Sequence, residues 1–205
     1  MADRPVTLVE LGISNLGSVV EAFRRVGGSV ALATTPDEVA CAGALVLPGV
    51  GAFGDGAAAL ARLGLVEPIR AHAAAGKPLL GICLGMQLLA DESEEHGRHA
   101  GLGLVPGRVV RRAPDDPALR VPNMGWGDVR PAGASGLLVD EGCFYFAHSF
   151  RFAAADAADA AGVLDYGGEV VAAVARGSVR GVQFHPEKSQ DDGLGLLDRW
   201  LAEAA

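Results

Sequence analysis

Apolar residues run almost unbroken from Val6 to Leu11, stop at Gly12, and resume from Asn15 at helical intervals in Leu16, Val19, Val20 and Phe23. That pattern predicts a buried strand followed by a helix with one apolar face. The runs "SVALAT" (29–34) and "ALVLPG" (44–49) repeat the signature of a short buried strand. Helical material over 55–76 then leads into another strand, "PLLGI" (78–82). Strands alternating with helices predict an α/β fold with a doubly wound sheet and a flavodoxin-like core, whose sites lie beyond the C-terminal ends of the parallel strands.

The pattern changes after Asp91. "DESEEHGRHAG" (91–101) reads as a polar loop, and "RVVRR", "CFYFAHSF", "GEVVAAVARG" and "VRGVQF" follow with no long helix between them. The second half is therefore expected to be mainly strands, partly antiparallel, making the sheet mixed. The chain closes on a helix over 191–205 with Leu194, Leu197, Trp200 and Leu201 along one side. No Ser/Pro-rich linker divides the chain, and 205 residues bury roughly 70% of their unfolded surface. A single domain over 1–205 is the expectation.

Charge and composition narrow the function. A formal charge of −8 argues against nucleic-acid binding, which needs clustered Lys and Arg. The one arginine cluster, Arg108, Arg111 and Arg112, reads as a surface strand with solvated side chains, with an anion site as the rival reading. No apolar run reaches the roughly 18 to 20 residues of a membrane helix, and the N-terminus has no signal-peptide pattern, so a cytoplasmic location is expected. Three widely spaced cysteines, Cys41, Cys83 and Cys143, with no CxxC, suit a reducing compartment and oppose a disulfide framework or a metal cluster. Cys41 and Cys143 have no base or tight turn beside them and are expected to be packing residues.

Cys83 differs from the other two. It lies between Gly81 and Gly85, after an apolar strand and before the helical run Met86, Leu88, Leu89, the form of a nucleophile elbow with cysteine in place of serine. A sharp strand-to-helix turn needs small residues two positions either side of the nucleophile. An inert buried thiol remains the alternative for a cysteine taken alone. His185 and Glu187, in "VQFHPEKSQ", lie two apart in extended chain, so the carboxylate can orient the imidazole, with Pro186 stiffening the link. "LPGVGAFGDG" (47–56) also follows an apolar strand, and its glycines can present backbone amides to an oxyanion, with the Leu84 amide as a second donor. A plain turn or a phosphate loop is the rival reading there, although no Gly-Lys-Ser/Thr follows.

These segments in this order, "LPGVGAFGDG", "GICLGMQLL" and "GVQFHPEKSQ", resemble the class I (triad) glutamine amidotransferases. "VPNMGW" (121–126) and "FYFAHSF" (144–150) more narrowly resemble the glutaminase-subunit family of imidazole glycerol phosphate synthase. The likeness departs from the family pattern at Glu10, Asn123 and Gly127. The resemblance implies a Cys83-His185-Glu187 triad that hydrolyses glutamine, an oxyanion site at Val50, Gly51 and Leu84, and substrate contacts from Gly51, Gln87, His148, Ser149 and Phe150. It implies no cofactor and no metal. It also implies a partner, a cyclase subunit with a (β/α)8 barrel that forms a heterodimer and takes the ammonia, touching this chain at Asn15, Met124, Trp126, Tyr145 and Lys188. Two alternatives stay open: the glutaminase subunit of another amidotransferase, of the pyridoxal phosphate or anthranilate synthase type, and a non-catalytic relative that kept the fold.

Overall fold

The apolar runs of the first half become the strands of a parallel sheet, and the amphipathic segments between them become its helices. In chain order these are β1 (Arg4–Val9), α1 (Leu16–Arg25), β2 (Gly28–Ala33), α2 (Pro36–Cys41), β3 (Leu45–Gly49), α3 (Phe53–Arg62), α4 (Val66–Ala74), β4 (Leu79–Cys83) and α5 (Leu84–Leu88). The short strands β5 (Glu92–Ser93) and β6 (His99–Ala100) follow, then β7 (Gly107–Arg111), β8 (Asn123–Pro131), β9 (Gly142–His148) and β10 (Phe150–Ala154). The chain ends with β11 (Ala160–Asp165), β12 (Glu169–Arg176), β13 (Val179–Val182) and α6 (Gln190–Glu203). The structure is a computed structural model and describes residues 4–13, 16–116, 118–133 and 136–204.

Among the described residues the strands form a nine-stranded sheet, ordered β2-β1-β3-β4-β13-β12-β11-β8-β9, and a four-stranded sheet, β10-β7-β5-β6. The stretch β2-β1-β3-β4-β13 is parallel throughout and has the flavodoxin-like order, while β12, β11, β8 and β9 extend it antiparallel. The expected mixed, doubly wound sheet is therefore present. Successive residues of β3 pack on opposite sides, Leu45 and Leu47 with α3, α4 and α5, and Val46 with α1 and α6. Both faces of this strand are covered, so it reads as a continuous apolar run.

Helix α1 buries Val19, Ala22 and Phe23, one face at the spacing of a single turn. Phe23 meets Trp200 of α6 edge to face with ring centroids 5.9 Å apart, which ties the first helix to the last.

Some local structure differs from the sequence reading. The stretch 55–76 is two helices, because Gly64 takes φ 67° and breaks the run. Helix α2 was not expected, although Thr35 and Glu38 cap its start reciprocally and Pro36 opens it. The polar loop 91–101 contains the paired strands β5 and β6. Cys41, expected to pack, is exposed at the end of α2.

The arginine cluster also needs correction. Arg108 and Arg111 face solvent, but Arg112 is only 4% exposed. It lies just past the end of β7, its backbone N–H donates to the Ser149 carbonyl at 2.9 Å, and its guanidinium stacks 4.4 Å from the centre of the Tyr166 ring. Trp200→Ala, which empties the junction of α1 and α6, should cost about 3–5 kcal/mol in a denaturant titration, with the slope of the transition unchanged.

Candidate functional site

Strand β4 is buried along its whole length and lies between β3 and β13, so whatever follows it is held on both sides. Cys83 ends the strand with φ 53° and ψ −107°, a strained conformation for a residue with a side chain. The two flanking glycines are required by space. A Cβ on Gly81 would come within 2.7 Å of the Gly85 carbonyl, and one on Gly85 would overlap the carbonyl oxygen of Leu47 in β3. The elbow is therefore wedged against the neighbouring strand. Gly49 pairs with Cys83 in the ladder, which sets the loop after β3 beside the sulfur.

The second approach is made from β13. Val182 pairs with Ile82, so the residues that overshoot the strand, Gln183 to His185, run past Cys83. His185 is anchored by its backbone: its N–H donates to the Tyr145 carbonyl at 2.8 Å, and its own carbonyl accepts from Ser189 Oγ at 2.6 Å. Its Nδ1 lies 2.8 Å from Glu187 Oε1, with both side chains about 95% buried, which leaves the other ring nitrogen for the sulfur. Burial disfavours the imidazolium, but hydrogen bonds with Cys83 and Glu187, and the charge of each, outweigh it and raise the pKa to about 9.

A cavity of about 370 Å³ opens over the sulfur. Val50, Gly51, Leu84, Gln87, His148, Ser149 and Phe150 line it together with Cys83 and His185. The structure thus brings the expected nucleophile, base, oxyanion and substrate residues to one place, and Glu187 stands behind His185. Some groups expected to meet substrate are already engaged within the protein. Gln87 Nε2 donates to the Phe150 carbonyl at 3.2 Å and to Gln183 Oε1 at 3.0 Å, and the Ser149 carbonyl accepts from Arg112. His148 is held neutral, its pKa lowered to about 4 chiefly by burial, with the Arg112 charge adding to the shift.

Three residues at or near the cavity were missed in the sequence. Glu95 lines it and accepts from Phe53 N–H at 2.8 Å, standing in for the side-chain cap that α3 lacks. Gln183 and Arg112 reach it through buried hydrogen bonds. The only hint for Gln183 was a polar residue inside the apolar run "GVQF". Among the described residues no group of three or more His, Cys, Asp or Glu side chains is arranged to hold a metal ion.

The rim carries most of the expected contact residues. Met124, which lines the cavity, is 66% exposed, and Trp126, two residues further along β8, is 51% exposed. Trp126 packs edge to face on Tyr145 at 6.0 Å, and Lys188 Nζ lies 5.8 Å from the Tyr145 ring centre. Asn15 lies outside the described residues.

The family model for class-I glutamine amidotransferases (Glutamine amidotransferase class-I) matches residues 7–202. The imidazole glycerol phosphate synthase subunit HisH of Rhodopirellula baltica is 46% identical over 199 residues, covering 95% of this chain and 96% of its own. The HisH subunit of Desulfitobacterium hafniense is 44% identical over 207 residues, covering 98% and 96%. Among solved structures, a glutamine amidotransferase superposes with a TM-score of 0.76 at 21% identity, covering 96% of this chain and 98% of its own. The PurLQS structure from Thermotoga maritima superposes with a TM-score of 0.74 at 22% identity, covering 100% and 97%. These two likenesses show the fold.

The raised pKa of His185 has a measurable sign. Protonation of this ring stabilises the folded chain fully below pH 6.5, and that contribution is lost as the pH rises from 6.5 through about 9. The His185 ring followed by NMR should titrate near pH 9, and lower in Cys83→Ala, because the sulfur is one of the groups that raise it.

Proposed function

The chain belongs to the class-I glutamine amidotransferase family, and from that premise we propose that it works as the glutaminase subunit of an imidazole glycerol phosphate synthase, releasing ammonia from glutamine for a cyclase partner in histidine biosynthesis. The observation that carries the reading is the strained Cys83 facing the buried His185–Glu187 pair at the floor of one small cavity.

The chemistry follows from the charges. Up to about pH 9 the ring of His185 is an imidazolium beside the sulfur, a pairing that favours the thiolate. The thiolate of Cys83 attacks the side-chain carboxamide carbon of glutamine, and backbone amides near Val50, Gly51 and Leu84 hold the oxyanion. His185 gives its proton to the departing nitrogen, ammonia leaves, and a glutamyl thioester remains. Once acylated, the sulfur no longer carries the charge that raises the imidazole pKa. The ring is then free to take a proton from water, which adds to the thioester and releases glutamate. Glu187 keeps the imidazole in register throughout.

A cavity of this size suits one small amino acid. Glu95 is the acidic residue lining it and suits the α-ammonium group of glutamine, while Gln87 lies one turn from Cys83. The ammonia goes to a cyclase of (β/α)8 fold, with which the chain forms a heterodimer. The cyclase uses it to form imidazole glycerol phosphate and an aminoimidazole ribotide. Met124, Trp126, Tyr145 and Lys188 form the docking rim: two exposed apolar side chains flanked by a tyrosine and a cation make an interface anchor. Gly51 takes φ 104°, and the loop Gly49–Gly51 permits a peptide flip by which a docked partner aligns the oxyanion amides.

A glutaminase assay with and without the cyclase and its nucleotide substrate tests this. Turnover should rise when the liganded cyclase is present, and equal turnover with and without it removes the loop-alignment part of the reading. Cys83→Ala should abolish glutamine use while the complex still accepts ammonium salt. A glutamine-analogue electrophile should label Cys83 and spare Cys143 and the exposed Cys41. Equal labelling of all three would favour a non-catalytic relative.

A further inference from the structure

We propose that Gln183 is a further catalytic residue of this site: its side-chain amide N–H donates to the Cys83 sulfur, and the Gln87 amide, itself fixed by the Phe150 carbonyl, holds it in that orientation. The proposal rests on the reading of Cys83 as the nucleophile.

A glutamine amide has nearly the same shape either way round, but only one way presents a donor to the sulfur. What decides is the Phe150 carbonyl, which can only accept. Arg112 has donors only, and its Nη1 lies 2.9 Å from His148 Nε2. That nitrogen must therefore be the unprotonated one, and the Asn123 amide nitrogen, 3.5 Å from it, also approaches as a donor. The ring proton is then on Nδ1, 2.7 Å from the Phe150 carbonyl, a group that can only accept. The same carbonyl takes Gln87 Nε2, which fixes the Gln87 amide, and its second hydrogen goes to Gln183 Oε1. With its oxygen engaged, Gln183 turns Nε2 to Cys83 Sγ at 3.8 Å, within range for a sulfur acceptor.

Each of these side chains is buried, and Gln183 completely so. Burial holds His148 neutral down to about pH 4, and the Phe150 carbonyl accepts from Gln87 whatever the charge on that ring. The titratable groups beside the sulfur are His185, with Glu187 behind it. Gln183 adds a neutral donor from another direction. A donor to a charged group stabilises the charged form, so the amide raises the share of thiolate in the resting enzyme. It acts again when the tetrahedral adduct of the thioester collapses: the C–S bond breaks, its electron pair leaves on sulfur, and the amide N–H meets the new charge.

The experiment measures the pH dependence of Cys83 alkylation by iodoacetamide, read on the Cys83 peptide by mass spectrometry, together with glutamine turnover in the cyclase complex. Gln183→Met should move the alkylation midpoint up by about one pH unit and lower kcat about tenfold. Gln183→Glu, equal in size, should move the midpoint further, because it sets a carboxylate beside the sulfur. Wild-type midpoints in both Gln183 variants would overturn the proposal. If these variants do not fold, the unaltered protein decides: the NMR signals of the Gln183 side-chain amide should move when Cys83 is alkylated, and unmoved signals overturn the proposal. Cys83→Ala separates the two readings. Loss of turnover there upholds the nucleophile whatever Gln183 does, and retained turnover removes both.

Discussion

The site depends on one close approach, that of the Cys83 elbow to β3. Because Gly85 lies against the Leu47 carbonyl and Gly81 against the Gly85 backbone, the turn after β4 has no freedom to relax. A cysteine at positive φ stores strain, and it persists only because the strands on both sides over-determine it. The same packing sets the loop after β3 and the end of β13 beside the sulfur, since the pairings Val182–Ile82 and Gly49–Cys83 fall at successive residues of β4. The strain at Cys83 and the convergence of its neighbours thus have one cause.

Within this frame, two imidazoles in one cavity are driven in opposite directions. His185 lies beside a sulfur and a carboxylate, and its pKa rises to about 9. His148 lies beside a guanidinium, with burial uncompensated by any acid, and its pKa falls to about 4. Placement in the fold drives them apart, although the residue type is the same. One ring carries a proton beside the sulfur, and the other is a neutral hydrogen-bonding spacer. The neutral ring gives the buried Arg112 an acceptor: the guanidinium stacks on Tyr166 and donates a hydrogen bond to the unprotonated ring nitrogen.

The apolar exposure at the rim belongs to the same arrangement. Met124 and Trp126 are on the outward side of β8, next to the cavity mouth, while Asn123 and Val129 on the same strand are buried. The strand thus alternates while turning its large residues outward.

Much of this was legible in the chain. Periodicity of two and of three to four residues, with glycines at the switches, determined the alternation of strand and helix, because those patterns are local. The glycine-flanked cysteine and the His-Pro-Glu segment were visible for the same reason: the elbow and the orienting pair are each built within five residues. The capping box of α2 was equally local and was overlooked. What only the tertiary structure decided depends on contacts across long separations. Arg112 is adjacent to two solvated arginines in the chain, and its burial follows from Ser149 and Tyr166, far along the sequence. Gln183 reads as a polar interruption of a strand until Gln87 and Cys83 are set on either side of it. A short motif carries its own geometry in the sequence, but the charge on a histidine and the direction of an amide are set by whatever the fold brings against them.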